Sequence, residues 1–244
     1  MKKIKFLYRG FKAQYRDQRT EIRSLISKLA QDDIAIDVGA NKGAYLRALS
    51  LAVPRGRVVA FEPQPALANY LRQICKEVGF DNVLVECAGV SSKAGEMTLY
   101  IPGGGETSPG ASLEAAIEAR EACRHIQVPV LTLDNYFSSQ SQHIGALKID
   151  VEGHELAVIQ GATRLIQQHA PTIVVECENR HLSSGTVYDV IRFVCSLDYD
   201  GYFVHRHALV PLSEFNLEVH QRTACERYWD APDYCNNFVL FKNS

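Results

Sequence analysis

The chain has no C-x-x-C pair, a single tryptophan, two methionines and a net charge of only −2. It also has no run of about 18 apolar residues, which argues against a membrane-spanning helix. Seven cysteines, Cys75, Cys87, Cys123, Cys177, Cys195, Cys225 and Cys235, have no metal-ligand spacing, so no zinc site is expected. Their odd number argues against a disulfide framework, and Cys177 and Cys195 sit in apolar runs where a thiol behaves as a small hydrophobe. A reducing, cytoplasmic setting is the expected one. The amino terminus is basic but lacks the apolar core of a secretory signal. With so little bulk charge, no nucleic-acid partner is expected.

What is present is core-forming material: 244 residues, 46% hydrophobic and 22% charged, enough for one α/β domain. Charge is unevenly placed. Residues 1–28 carry nine Lys and Arg against Asp17 and Glu21, a net +7 that leaves −9 for the remainder. Ile22, Leu25, Ile26 and Leu29 recur at helical spacing, and Tyr8, Phe11 and Tyr15 extend that periodicity backwards. Residues 1–30 are therefore expected to form a basic amphipathic helical leader that packs on a domain spanning 31–244. Packing is the expected role, so neutralising Lys2, Lys3 and Lys5 should leave activity unchanged. Peripheral membrane contact through the basic face is the other reading of the same pattern.

Short apolar runs then alternate with helical patterns. Strands are expected at 34–38, 57–61, 82–90, 127–131, 145–150 and 171–178, with an added strand at 97–101. Helices are expected from Ala44, over 65–78, over 154–168 and around 187–194. Segments 202–205 and 237–241 should close the sheet as an antiparallel pair. The pattern is that of a doubly wound, mostly parallel Rossmann-like sheet. Gly and Pro crowd residues 102–112, which read equally as a lid or as a linker.

Two stretches carry chemistry. Leu147-Lys148-Ile149-Asp150-Val151-Glu152-Gly153-His154-Glu155 is a strand ending in two carboxylates, a turn and a helix start. Ligands of open α/β sheets bind outside the carboxyl ends of strands, which places Asp150 and Glu152 at a site. The second is Asp37-Val38-Gly39-Ala40-Asn41-Lys42-Gly43, with Glu62 ending the next strand 19 residues after Gly43. A carboxylate there can accept hydrogen bonds from ribose hydroxyls. The spacing is G-x-x-x-G rather than the G-x-G-x-x-G of a pyrophosphate cradle, which disfavours NAD and suits S-adenosylmethionine (SAM).

Together with Phe61-Glu62-Pro63 and Thr132-Leu133-Asp134, these stretches resemble the FkbM-type methyltransferases over roughly residues 34–178. The resemblance implies a class I SAM-dependent fold and, as a rule, O-methylation of a sugar, glycan or other small-metabolite hydroxyl. It implies that Asp37, Gly39, Asn41, Gly43 and Glu62 contact SAM and that Cys87-Ala88 borders the adenine. The leader and residues 206–236 match no family pattern, and substrate choice is expected there.

Asp150, Glu152 and His154 are the expected catalytic group, with one residue steadying SAM and another receiving the acceptor proton. His181 also follows a strand end, but an ordinary loop histidine is the favoured reading. Lys148 is expected to pair with a carboxylate such as Glu176. No metal is expected: activity should survive EDTA and be lost in Asp150→Asn and Glu152→Gln. The rival metal reading would use Asp150, Glu178 and Asn179. Rival functions are an NAD-linked oxidoreductase and a non-catalytic SAM-binding module.

Overall fold

The computed structural model describes residues 1–223 and 227–243; Cys225 and part of the 206–236 stretch lie outside the described residues. Helix α1 (Lys2–Lys12) runs through a π-helical turn (Ala13–Asp17) into α2 (Arg19–Ile26). There follow β1 (Ile34–Val38), α3 (Leu46–Ala52), β2 (Arg57–Phe61), α4 (Pro65–Val78), β3 (Val83–Glu86) and β4 (Gly89–Val90). Next come β5 (Gly95–Pro102), β6 (Cys123–Leu131), α5 (Leu133–Tyr136), β7 (Ile144–Ile149), α6 (Glu155–Gln160), α7 (Thr163–His169) and β8 (Thr172–Glu176). The chain closes with α8 (Val187–Cys195), β9 (Tyr199–His205), β10 (Ala208–Pro211), α9 (Leu217–His220) and β11 (Asn237–Lys242).

The main sheet has eight strands in the order β10-β9-β11-β8-β7-β1-β2-β3. Strands β3, β2, β1, β7 and β8 are parallel, and β11 pairs antiparallel with both β8 and β9. This is the expected mostly parallel sheet with an antiparallel finish. The order reverses at β1, where β2 lies on one side and β7 on the other. That switch point is where such a sheet opens a crevice for a ligand.

Alternation along the strands builds two cores. Ile34, Ile36 and Val38 face α6, α7 and α8 residues, whereas Ala35 faces the layer made by α1 to α4. The leader belongs to that layer: Ile22 and Leu25 are fully buried, and α2 packs over β7, β8 and β11. Its aromatic periodicity faces the wrong way for packing, however. Phe6, Gly10 and Ala13 turn inward, while Tyr8, Phe11 and Tyr15 are exposed. Three-four spacing identifies a helix face but not its side. Here the small residues Gly10 and Ala13 permit the closer approach.

Two further expectations are corrected. The run 82–90 is two strands, because the chain leaves the main sheet after Glu86 and β4 joins β6 and β5 in a separate three-stranded sheet. The helix expected over 154–168 breaks between α6 and α7, where the Gly161 carbonyl accepts from Asp134 N–H at 2.8 Å and Gly161 packs against Ser91.

Candidate active site

The loops after β1, β2 and β7 meet in one cleft. Gly39, Asn41, Glu62, Ala88, Asp150 and Glu152 line it together, with Leu99, Pro109, Ala111 and Leu113 from the second sheet and its loop. The approach of the first and third loops depends on Gly39: a Cβ there would sit 1.7 Å from the Asp150 carbonyl oxygen. A second close approach follows. Gly153 lies against the backbone of His181, bringing in the loop after β8.

Glu62 is 2% exposed and accepts Asn41 N–H at 2.7 Å on one oxygen and Gln64 N–H at 2.9 Å on the other. Burial raises its carboxyl above the usual range, against those hydrogen bonds. Each oxygen keeps capacity for another donor, as a ribose diol would need. The neighbouring Gln64 clasps the 102–112 loop: its amide donates to the Ser108 carbonyl at 3.0 Å and accepts Ser108 N–H at 2.8 Å. At the other end of that loop Ser112 Oγ donates to the Glu152 carbonyl at 2.7 Å. The loop therefore roofs the cleft. Gln64 and Ser112 are site residues that sequence reasoning misses, since an amide and a hydroxyl in polar loops carry no periodic signal.

Beneath the cleft Lys148 is buried and donates to the Gly39 carbonyl at 2.9 Å. Its Nζ lies 3.1 Å from Asp37 Oδ1 and 3.4 Å from Asp150 Oδ2, so these carboxylates, rather than Glu176, are its ion-pair partners. Burial alone would lower the ammonium, yet Asp37 and Asp150 outweigh it and hold Lys148 above its usual range. Burial, assisted by Glu152 and Asp37, lifts Asp150 to about 6 despite the lysine. Asp37 is 1% exposed; the Lys148 ammonium faces its Oδ1, and its Oδ2 has no hydrogen-bond donor among the described residues. It stands behind the cleft wall, not in it. Gly43 is likewise turned away, packed beneath Phe6, Leu71 and Leu46.

Glu152 adopts φ 55°, a left-handed conformation that a non-glycine residue holds only when its surroundings enforce it. Ser112 fixes its carbonyl, and His181 Nδ1 stands 2.6 Å from its Oε2. His181, which reads in the sequence as an ordinary loop histidine, is thus paired with a cleft carboxylate. His154 is not brought to the cleft. Its Nδ1 meets Glu114 at 2.6 Å and its Nε2 meets Ser91 Oγ at 2.9 Å. With both ring nitrogens engaged, His154 ties the turn after β7 to Glu114 and Ser91.

Of the rival metal set, Asp150 lines the cleft, whereas Glu178 and Asn179 have other partners. Glu178 accepts from Arg180 Nε at 2.6 Å and from the Tyr234 hydroxyl, and Asn179 Oδ1 accepts Val187 N–H at 3.3 Å. Burial raises Glu178, but Arg180 and Tyr234 overcome it and hold the carboxyl low. Tyr234 also brings the 206–236 stretch to this end of the sheet.

Glu155 closes the turn by accepting Gly153 N–H at 2.9 Å. Burial, with Asp150 and Glu152 adding, raises its carboxyl from the ordinary 4.5 to about 7. The folded state therefore binds this proton more tightly than the unfolded chain. Its contribution is full below pH 4.5 and falls as pH rises through 7. Glu155→Gln, which keeps the acceptor without the charge, should raise stability at pH 8 by roughly 1–3 kcal/mol. At pH 5 it should change little. Denaturant melts of both proteins at the two pH values check this.

A protein-family comparison matches residues 37–200 to the methyltransferase FkbM domain. The hexuronic acid methyltransferase AglP of Haloferax volcanii is 29% identical over 155 residues, covering 62% of this chain and 59% of that protein. Methyltransferase sdnD of Sordaria araneosa is 25% identical, over 62% of this chain and 68% of its own length. Among solved structures, a methyltransferase-like protein of Streptococcus mutans in complex with S-adenosylhomocysteine (SAH) superposes with a TM-score of 0.51. It is 13% identical, and the match covers 93% of this chain and 98% of that one.

Proposed function

Because the chain belongs to the FkbM methyltransferase family, with the class I SAM-binding fold, we propose that it methylates a hydroxyl of a sugar, glycan or other small metabolite. One observation carries this reading. A single cleft is lined by Glu62 at the end of β2 and by Asp150 and Glu152 after β7, while Lys148 beneath it is buried and already paired. Such a wall suits a cationic cofactor and a neutral hydroxylated acceptor. A pyrophosphate would meet carboxylates there, which disfavours the NAD-linked reading. The name of AglP supports a carbohydrate acceptor, hexuronic acid being its own substrate class.

SAM, when bound, supplies an electrophilic methyl group on a positively charged sulfur. Glu62 would take the ribose hydroxyls, with Gly39 and Asn41 allowing close backbone approach and Ala88 bordering the base. Asp37 acts from behind, holding Lys148 and through it the Gly39 carbonyl. Asp150 contributes negative charge to the wall that faces the cation. Glu152 accepts the acceptor's proton, and His181 fixes the orientation of its carboxylate. The roof formed by residues 102–112 limits water access. The family pattern and the intact carboxylates disfavour a binding module without catalysis.

Thermal shift with SAM, SAH and NAD tests the cofactor, and labelled SAM offered with hydroxylated metabolites, followed by mass spectrometry of products, tests the reaction. Stabilisation by SAM and SAH is expected, with methyl transfer that survives EDTA. Stabilisation by NAD alone would overturn the reading. Transfer abolished by EDTA and restored by magnesium would make Asp150 a metal ligand.

A further inference from the structure

Helix α1 has two apolar faces. One is used: Phe6 is 1% exposed beneath the Gly43 turn, Gly10 packs on Arg47, and Arg9 donates to the Lys42 carbonyl at 3.0 Å. The other has no cover. Ile4, Leu7, Tyr8, Phe11 and Tyr15 are 73%, 37%, 62%, 52% and 55% exposed. At 100° per residue, Ile4, Leu7, Tyr8 and Phe11 form one stripe opposite Phe6 and Gly10, which Tyr15 extends into the π-helical turn.

Cations border this stripe on both sides, with Lys3 on one flank and Lys5 and Lys12 on the other. Lys2, Lys3 and Lys5 form no ion pair among the described residues, whereas Lys12 meets Asp17. An apolar band with aromatic residues, edged by long cationic side chains, is the pattern of a helix lying in a lipid interface. Apolar residues enter the acyl boundary while lysines reach the headgroups. We infer that α1 docks the protein flat on an anionic lipid surface. The inner face stays packed under the cofactor turn, so docking needs no unfolding. A protein partner or second copy would need a matching acidic rim on both edges, and the lysine flanks favour a lipid sheet. The inference is independent of which acceptor is methylated.

Sedimentation of the full chain with vesicles tests it. Binding is expected to vesicles of phosphatidylcholine mixed with phosphatidylglycerol but not to phosphatidylcholine alone, and it should weaken with added salt. Replacing Lys2, Lys3 and Lys5 with glutamine should weaken it about a hundredfold, at about fivefold per cation. The double variant Leu7→Ser, Phe11→Ser should also lose binding, with its SAM thermal shift retained as the folding control. The inference is overturned if mixed vesicles are not bound, or if both variants bind as the wild type does. It is also overturned if light scattering shows a dimer that Phe11→Ser dissociates, which would assign the stripe to a second copy.

Discussion

Glu152→Gln is expected to lower kcat by roughly a hundred- to ten-thousandfold, the range for loss of a positioned proton acceptor. The amide keeps the size and the hydrogen-bonding shape of the carboxylate but cannot take a proton at neutral pH. The backbone at φ 55° is held by Ser112 Oγ on the residue's carbonyl, independently of the side chain, so the fold should survive. SAM-induced stabilisation should be retained, since the ribose site at Glu62 is untouched. His181→Ala should cost less, about ten- to a hundredfold in kcat, because it frees the Glu152 carboxylate to misalign. Rates with the acceptor identified by the labelled screen, set beside the SAM thermal shift, measure both. Near-normal turnover in Glu152→Gln would move the proton to Asp150.

The parts of the molecule legible in sequence are those with a strong local signal. The strands at 34–38 and 57–61 are short, mostly apolar runs, broken only by Asp37 and opened by Arg57, and the structure keeps both with the same bounds. Glu62 and Asp150 are legible because strand ends in a doubly wound sheet converge on one crevice. The errors share a physical origin in long-range geometry. Lys148 has several carboxylates within reach along the sheet, and register alone decides that Asp37, its direct neighbour across the β1–β7 pairing, is its partner. His154 adjoins the motif yet turns away, because the chain passes through positive φ at Glu152 and Gly153 just before it and re-aims the residue ahead of α6. His181, 27 residues beyond His154, is brought to Glu152 by the next strand's loop. The split of 82–90 turns on a second sheet whose strands β5 and β6 carry no sign of which neighbour they will choose. The outward face of α1 follows the same rule: periodicity is local, and sidedness is tertiary.

Gly39→Ala should be among the most damaging single methyl additions to the chain. The new Cβ would lie 1.7 Å from Asp150 O and 2.9 Å from its carbonyl carbon, and both belong to backbone that no rotamer change can move aside. Relief requires the β1 and β7 ends to part, although Asp150 N–H donates to the Val38 carbonyl at 3.0 Å there. The residue also has φ 77°, which costs an L side chain about 1–2 kcal/mol by itself. Added to overpacking of about 1–3 kcal/mol, the loss should be near 3–4 kcal/mol, a fall in Tm of about 6–16 °C for a chain of this size. Gly79→Ala separates the two contributions. Gly79 has nearly the same φ, 78°, at the end of α4, and a methyl group added there would meet nothing within 4 Å. It should lose only the conformational part, about 1–2 kcal/mol. The gap between the variants measures the contact between the two loops. Because that contact fixes the Asp150 carbonyl against the cofactor turn, Gly39→Ala should also abolish the SAM-induced shift, whereas Gly79→Ala should keep it. Equal losses in both variants would mean that backbone conformation, rather than the meeting of the two strand ends, sets the requirement for glycine.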